Sequence, residues 1–256
     1  MSTAFRIRSS DAALLARATR IAHEFAQPYI RDDIVGIVFL GALARGYFDK
    51  AADIDIALFT TPTADLSLQS QFLTVDGVMV HCHVEVYDHE LTASWNMAKR
   101  WTYQQGQIFY DPAGKIAQLL EHKVPLQPEE KKWLLMSGCV LSEWYINRLT
   151  QLWVERGNLI SAHHMFDAGM DYFFTMLFGF NNQLVADIKW RYYCVEQLAQ
   201  LPANFRERIK ETMMARSFSL DELERRKGVF MGMWRDMLPL IEREVQLSFD
   251  DMVLLV

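Results

Sequence analysis

The chain runs to 256 residues, 51% of them hydrophobic, with a formal net charge of −6, which is enough apolar material for a sizeable core divided between two domains. It carries no basic tail, stripe or arginine-rich arm, so tight binding to long nucleic acid, a tRNA or poly(A) included, is not expected. No apolar run approaches the roughly 20 residues that span a bilayer, Arg6, Arg8 and Asp11 crowd a start unlike a signal peptide, and Cys82, Cys139 and Cys194 are too scattered for a disulfide framework, so the expected setting is a reducing cytoplasm without membrane attachment.

In chain order, the first expected element is a helix over residues 9–29, with Ala13, Leu14, Ala16, Ile21, Ala22 and Phe25 at helical spacing behind a serine and aspartate start. A strand over 34–40 follows and ends in a glycine turn, Gly41-Ala42-Leu43-Ala44-Arg45-Gly46. Next comes an apolar strand carrying Asp53 and Asp55. Residues two apart on a strand share a face, with roughly 6.5–7 Å between their Cα atoms, so the two carboxylates converge while Ile54 and Ile56 turn to the core. Two converging carboxylates suit a hard divalent cation, which is commonly held by one or two carboxylates together with substrate phosphates. The turn glycines let backbone amides approach a phosphate, and Arg45 reads equally as a phosphate contact or a structural partner.

Asp76-Gly77 between 72–75 and 78–87 signals a hairpin. Its second strand ends in His81, His83 and Glu85 on one face. Glu85 is the third carboxylate that a second metal would need. The histidines invite a transition-metal reading, but the usual Cys/His zinc spacing is absent and the expectation is that they shape the site. A helix over 91–101, a short strand over 107–110, a turn at Asp111-Pro112-Ala113-Gly114 and a helix to about 121 complete the first half.

Residues 124–128 mark the boundary, proline-punctuated and followed by Glu129 and Glu130 in a first helical turn. Beyond it a 3.6-residue period dominates, with breaks near 157–158, 179–182, 201–202 and 217–219. Ser219-Leu220-Asp221-Glu222 fits a capping box. On the helix over 159–178 a polar stripe of His163 or His164, Asp167 and Asp171 is either an exposed face or the wall of an acceptor cleft. Glu143 and Glu155 compete with it as base candidates. The apolar tail 252–256 hints at a docking or homodimer contact. The fold class is therefore α+β: a mixed sheet with flanking helices over 1–124, then an all-α bundle over 125–256.

Leu40-Gly41-Ala42, Asp53-Ile54-Asp55 and Val84-Glu85-Val86, in that order and spacing, resemble the nucleotidyltransferase superfamily with the DNA polymerase beta-like fold. Its pattern is a strand ending in glycine, a short helix, an Asp-x-Asp strand and a third acid on a later strand. Ala44-Arg45-Gly46 resembles a stretch common in aminoglycoside and lincosamide nucleotidyltransferases and their uncharacterised bacterial relatives. The motif covers about the first third of the chain, and a weaker likeness runs from Lys99 to Lys189. The resemblance implies two Mg²⁺ ions on Asp53, Asp55 and Glu85. It also implies ATP or another nucleoside triphosphate lying over Gly41, Ala42 and Arg45, with Lys189 reaching the β- or γ-phosphate, and a small-molecule acceptor of which an antibiotic is one branch. The family's serine is Ala42 here, which keeps the amide and loses the hydroxyl. A protein-adenylylating enzyme of the antitoxin type and a catalytically silent nucleotide-binding scaffold are the alternatives.

Overall fold

The computed structural model describes residues 11–64 and 71–256. The expected helix start at Ser9, with Arg6 and Arg8, lies outside them. Two compact units divide at Pro125/Leu126, and the architecture is α+β. Among the described residues no helix is long and apolar enough to cross a membrane.

The first unit is built on five strands in the order β3-β4-β2-β1-β5, namely β1 (Ile34–Leu40), β2 (Ile54–Thr60), β3 (Gln71–Val75), β4 (Val78–Val86) and β5 (Gln107–Tyr110). All neighbours are antiparallel except β2 and β4, which run parallel. Helix α1 (Ala12–Ala26) opens on Asp11, whose carboxylate accepts from the amides of Ala13 and Leu14 at 2.9 and 3.1 Å and so satisfies two donors that no helical carbonyl can reach. Its Ala18, Ile21 and Ala22 pack on Ile37, Phe39, Ile54, Ile56 and Cys82, which form one face of the sheet.

The opposite face begins with Val38, Leu40, Ala57 and Phe59 and is covered by Tyr87, Trp95, Tyr103, Ile116 and Leu119. These come from α3 (Tyr87–Thr92), α4 (Met97–Tyr103), α5 (Lys115–Lys123) and the link between α3 and α4. The single helix expected over 91–101 is thus interrupted. Asn96 caps a new helix by accepting from the Lys99 amide at 2.9 Å, and the intervening extended backbone lets Trp95 turn inward, where it is 7% exposed. The Asp76-Gly77 hairpin forms with positive φ at both residues, 49° and 73°, the geometry whose twist matches that of the flanking strands.

The second unit is wholly helical among its described residues. Helix α6 (Pro128–Glu143) passes through a six-residue π segment, Trp144–Leu149, into α7 (Thr150–Glu155). Helices α8 (Leu159–Phe180), α9 (Ile188–Val195), α10 (Phe205–Met213), α11 (Leu220–Val245) and α12 (Phe249–Leu255) follow. Helices α6 and α8 meet closely at Gly138, where an added Cβ would stand 2.7 Å from both the backbone nitrogen and Cβ of Met176 and 2.8 Å from the Tyr172 carbonyl oxygen. At the start of α11, Ser219 accepts from the Glu222 amide at 3.3 Å, but Glu222 does not return the second bond of a capping box. Its oxygens take the Arg225 guanidinium in a two-pronged grip at 2.7 and 3.1 Å and the Arg216 amide at 3.2 Å.

Two consequences are measurable. Gly138→Ala should destabilise the chain by about 1–3 kcal/mol in urea unfolding, because the new methyl meets backbone that cannot yield, and this outweighs the gain in helix propensity. The Arg225 hydrogen bonds hold the Glu222 carboxyl down at about 2 against an ordinary 4.5. The stability it contributes is therefore complete above pH 4.5 and is lost as pH falls toward 2, so Glu222→Gln should flatten the acid limb of a pH–Tm profile over that window.

Candidate functional site

Strand β1 ends on Leu40, and the chain turns at once through Gly41, at φ +63°, into the four-residue helix α2 (Gly41–Ala44). The Tyr47 amide donates to the Ala42 carbonyl at 3.0 Å and the Gly46 amide to Leu43 at 3.0 Å. The Gln107 side chain donates to the Ala44 carbonyl at 3.0 Å and ties the turn to β5. Arg45 lays its guanidinium carbon 4.0 Å from the centre of the Trp101 ring, a cation–π contact that fixes its side chain.

Residue 41 has to be glycine for a second reason. A Cβ there would come within 2.1 Å of Asp55 Oδ2. The carboxylate occupies the space where a side chain would be, so the turn and the second aspartate of the Asp-x-Asp pair are directly apposed. Asp55 is the second residue of β2, and Asp53 lies just before the strand, half-buried.

The parallel register of β2 and β4 sets what surrounds this pair. It places Asp55 opposite His81, Ala57 opposite His83 and Phe59 opposite Glu85. His81 Nδ1 is 3.4 Å and His83 Nε2 3.7 Å from Asp55 Oδ1. Asp55, His81 and His83 each offer a metal-ligating atom, all within 4.8 Å of one another. Burial, reinforced by His83, holds the His81 imidazole below its ordinary value against the pull of Asp55 and Asp53. Phe72 of β3 stacks on the His81 ring at 3.8 Å and 15°.

Glu85, expected to be the third metal carboxylate, is not brought to the aspartates. It shares their face but pairs four residues farther along β2, a separation of roughly 13 Å at the rise of a strand. There Lys99 Nζ donates to Glu85 at 3.2 Å and to Glu90 at 2.8 Å, and Trp95 Nε1 donates to Glu90 at 2.5 Å. Burial and a hydrogen bond with Glu90 push the Glu85 carboxyl up, against the pull of Lys99. In Glu90, burial is outweighed by bonds from Lys99, Glu85 and Trp95, and its carboxyl is lowered. The positions beside Asp55 belong instead to two histidines. Their shared face was readable from alternation; their partner across the strands was not.

In the second unit, Asp167 and Asp171 take different surroundings. Asp167 accepts from Arg226, whose side chain is 1% exposed and also donates to the Thr212 carbonyl at 2.6 Å and meets His163 Nδ1 at 2.9 Å. Arginine has no lone pair to offer, so His163 Nδ1 must accept and Nε2 carries the hydrogen, toward the Ser219 carbonyl at 3.3 Å. Asp171 pairs with Arg191 at 3.5 Å and lines a cleft of about 320 Å³ with Tyr145, Ala168, Tyr172, Thr175 and Arg191. Lys189 is exposed in the first turn of α9, where Asp187 caps its amide at 3.1 Å.

Neither the family models nor the curated proteins yield a match to this sequence. The solved structures that match include a nucleotidyltransferase-like protein from Exiguobacterium sibiricum 255-15, at 12% identity and a TM-score of 0.48, over 90% of this chain and 77% of that one. A likeness of that order carries no functional weight, and the reading of the site rests on its own residues.

Gly41→Ala tests the apposition of turn and carboxylate. With both a positive φ and a contact to Asp55 against it, the variant should lose more than about 1 kcal/mol of stability in urea unfolding. Gly46→Ala, at φ +70° but with nothing within 4 Å of the new methyl, should lose less.

Proposed function

We propose that the chain is a divalent-metal-dependent nucleotidyltransferase. In this reading it moves a nucleoside monophosphate, AMP from ATP in the first instance, to a hydroxyl of a small-molecule acceptor. The observation that carries it is the apposition of Asp55 to the Gly41 turn, with Asp53 two residues before it in the chain, which sets a carboxylate against a glycine-opened stretch of backbone.

A triphosphate lying over residues 41–46 would meet backbone amides of the turn, the kind of concavity that receives phosphate oxygens. Ala42 supplies an amide there and no hydroxyl, so donor affinity depends more on the backbone and on the cation than it would with serine. Asp53 and Asp55 would hold Mg²⁺, which supplies charge neutralisation for the phosphates. The acceptor oxygen forms a bond to the α-phosphorus as the bond to the β-phosphate bridge breaks, pyrophosphate departs, and the hydroxyl proton passes to a base. The acceptor-side candidates are Asp171 and Asp167. Asp171 is favoured because it lines a cleft, whereas Asp167 neutralises a buried arginine. Lys189 is a further candidate for the phosphate charge. Antibiotics are one class of acceptor to screen.

A nucleotide-binding scaffold without turnover is the second reading. Two observations favour it: Ala42, and the commitment of Glu85 to Lys99, which leaves Asp55 with two histidines and no third carboxylate among the described residues.

Thermal unfolding with each nucleoside triphosphate, with and without Mg²⁺, tests the proposal. Ligand at about 100 times its dissociation constant should add roughly 2.7 kcal/mol to the folded state. The rise should require Mg²⁺ and vanish in Asp53→Asn while that variant keeps its unliganded Tm. Pyrophosphate release across an acceptor screen then separates transfer from mere binding. A folded Asp53→Asn variant with unchanged turnover would overturn the reaction, and binding without release for any acceptor would establish the scaffold.

A further inference from the structure

We propose that Asp55, His81 and His83 form a zinc site distinct in chemistry from a magnesium–phosphate centre. Magnesium prefers oxygen ligands, whereas two imidazoles and one carboxylate are a donor set for a borderline ion. Zinc sites that remain open to an exchangeable ligand use three protein donors, and two histidines with one carboxylate is a recurrent set.

The geometry matches that ion. Ligands roughly 2.0–2.1 Å from a tetrahedral zinc stand about 3.3–3.4 Å apart. Asp55 Oδ1 already lies 3.4 Å from His81 Nδ1 and 3.7 Å from His83 Nε2, so small side-chain rotations close the site. All three donors project from one face of two adjacent strands. They can therefore occupy three corners of a tetrahedron and leave the fourth, away from the sheet, for water or a ligand atom. Phe72 lies flat on the His81 ring and restricts its rotation, which lowers the entropy lost when the ion is captured.

Asp55 divides its two oxygens between two neighbours. Oδ1 is the atom nearest the histidines, and Oδ2 is the atom that approaches residue 41. One carboxylate can thus serve zinc on the β4 side and the glycine turn on the other. The zinc site shares Asp55 with the proposed transfer centre and stands without it, since none of its three donors needs a nucleotide.

The test uses the full chain, stripped by chelator and titrated with ZnCl₂ against a chromophoric zinc indicator, with Co²⁺ as a spectroscopic substitute. Expected are one ion per chain, a tetrahedral cobalt spectrum, and an affinity loss of at least about 100-fold in His81→Gln/His83→Gln. Asp53→Asn should retain zinc. If the double variant fails to fold, judged by circular dichroism, the single variants carry the test with losses of about 10-fold or more. Wild type that takes up no zinc, or a folded double variant that binds as tightly as wild type, overturns the proposal. Zinc uptake lost in the histidine variants supports it whether or not Mg²⁺ and ATP raise the Tm, and that second response reports on the transfer reading alone.

Discussion

Asp55 can stand where it does only because residue 41 has no side chain. The turn at the end of β1 and the start of β2 are drawn so close that a carboxylate oxygen fills the volume a Cβ would take, and the rest of the first unit is arranged to hold that contact. Strands β1 and β2 are hydrogen-bonded neighbours with Leu40 paired to Asp55. Buried apolar residues on both faces fix them in the sheet, and Gln107 of β5 grips the turn from its far side. A polar junction is thus assembled from two strand ends whose own positions are decided by apolar packing. Apolar packing on both faces of the two strands keeps the carboxylate in place.

Much of this could be read from single segments. Asp11, the Asp76-Gly77 turn, the alternation in β4 and the proline-marked boundary each act through residues near them in sequence, and local chemistry is what a sequence displays. What escaped was pairing at a distance. Whether His81 or Glu85 would lie beside Asp55 depends on the β2–β4 register, which the whole buried sets of both strands determine together. Alternation says which residues share a face but not how far one strand slides along another. Lys99, 14 residues after Glu85, claims that acid, and nothing in the spacing of β4 announces it. The break before α4 was hidden for a similar reason, because a tryptophan that must reach the core overrode the helical period of its neighbours.

The helical unit teaches a companion lesson about polar stripes. Arg226 is almost entirely enclosed, and burial of a guanidinium is tolerable only where its donors find acceptors. Thr212, His163 and Asp167 supply them from α10 and α8. Two members of the stripe on α8 therefore serve the interior of their own unit. Asp171, one turn farther on, has a partner only at the margin of a cleft. Residues of the same type on one helix face thus divide between structural duty and an open surface.

The strict alternation of β4 constrains how this chain can vary over time. Val80 and Cys82 are buried on one side, while His81 and His83 meet Asp55 on the other. Point changes at these positions alter one face at a time. A single inserted or deleted residue between the Asp76-Gly77 turn and His81 would exchange the two faces wholesale, driving imidazoles into the apolar layer and exposing valine and cysteine at the aspartate. The hairpin can accordingly drift in composition but not in length. Among descendants of this sequence, gaps should fall in the connections outside β3 and β4, and the parity of the second strand should outlast the identity of most of its residues.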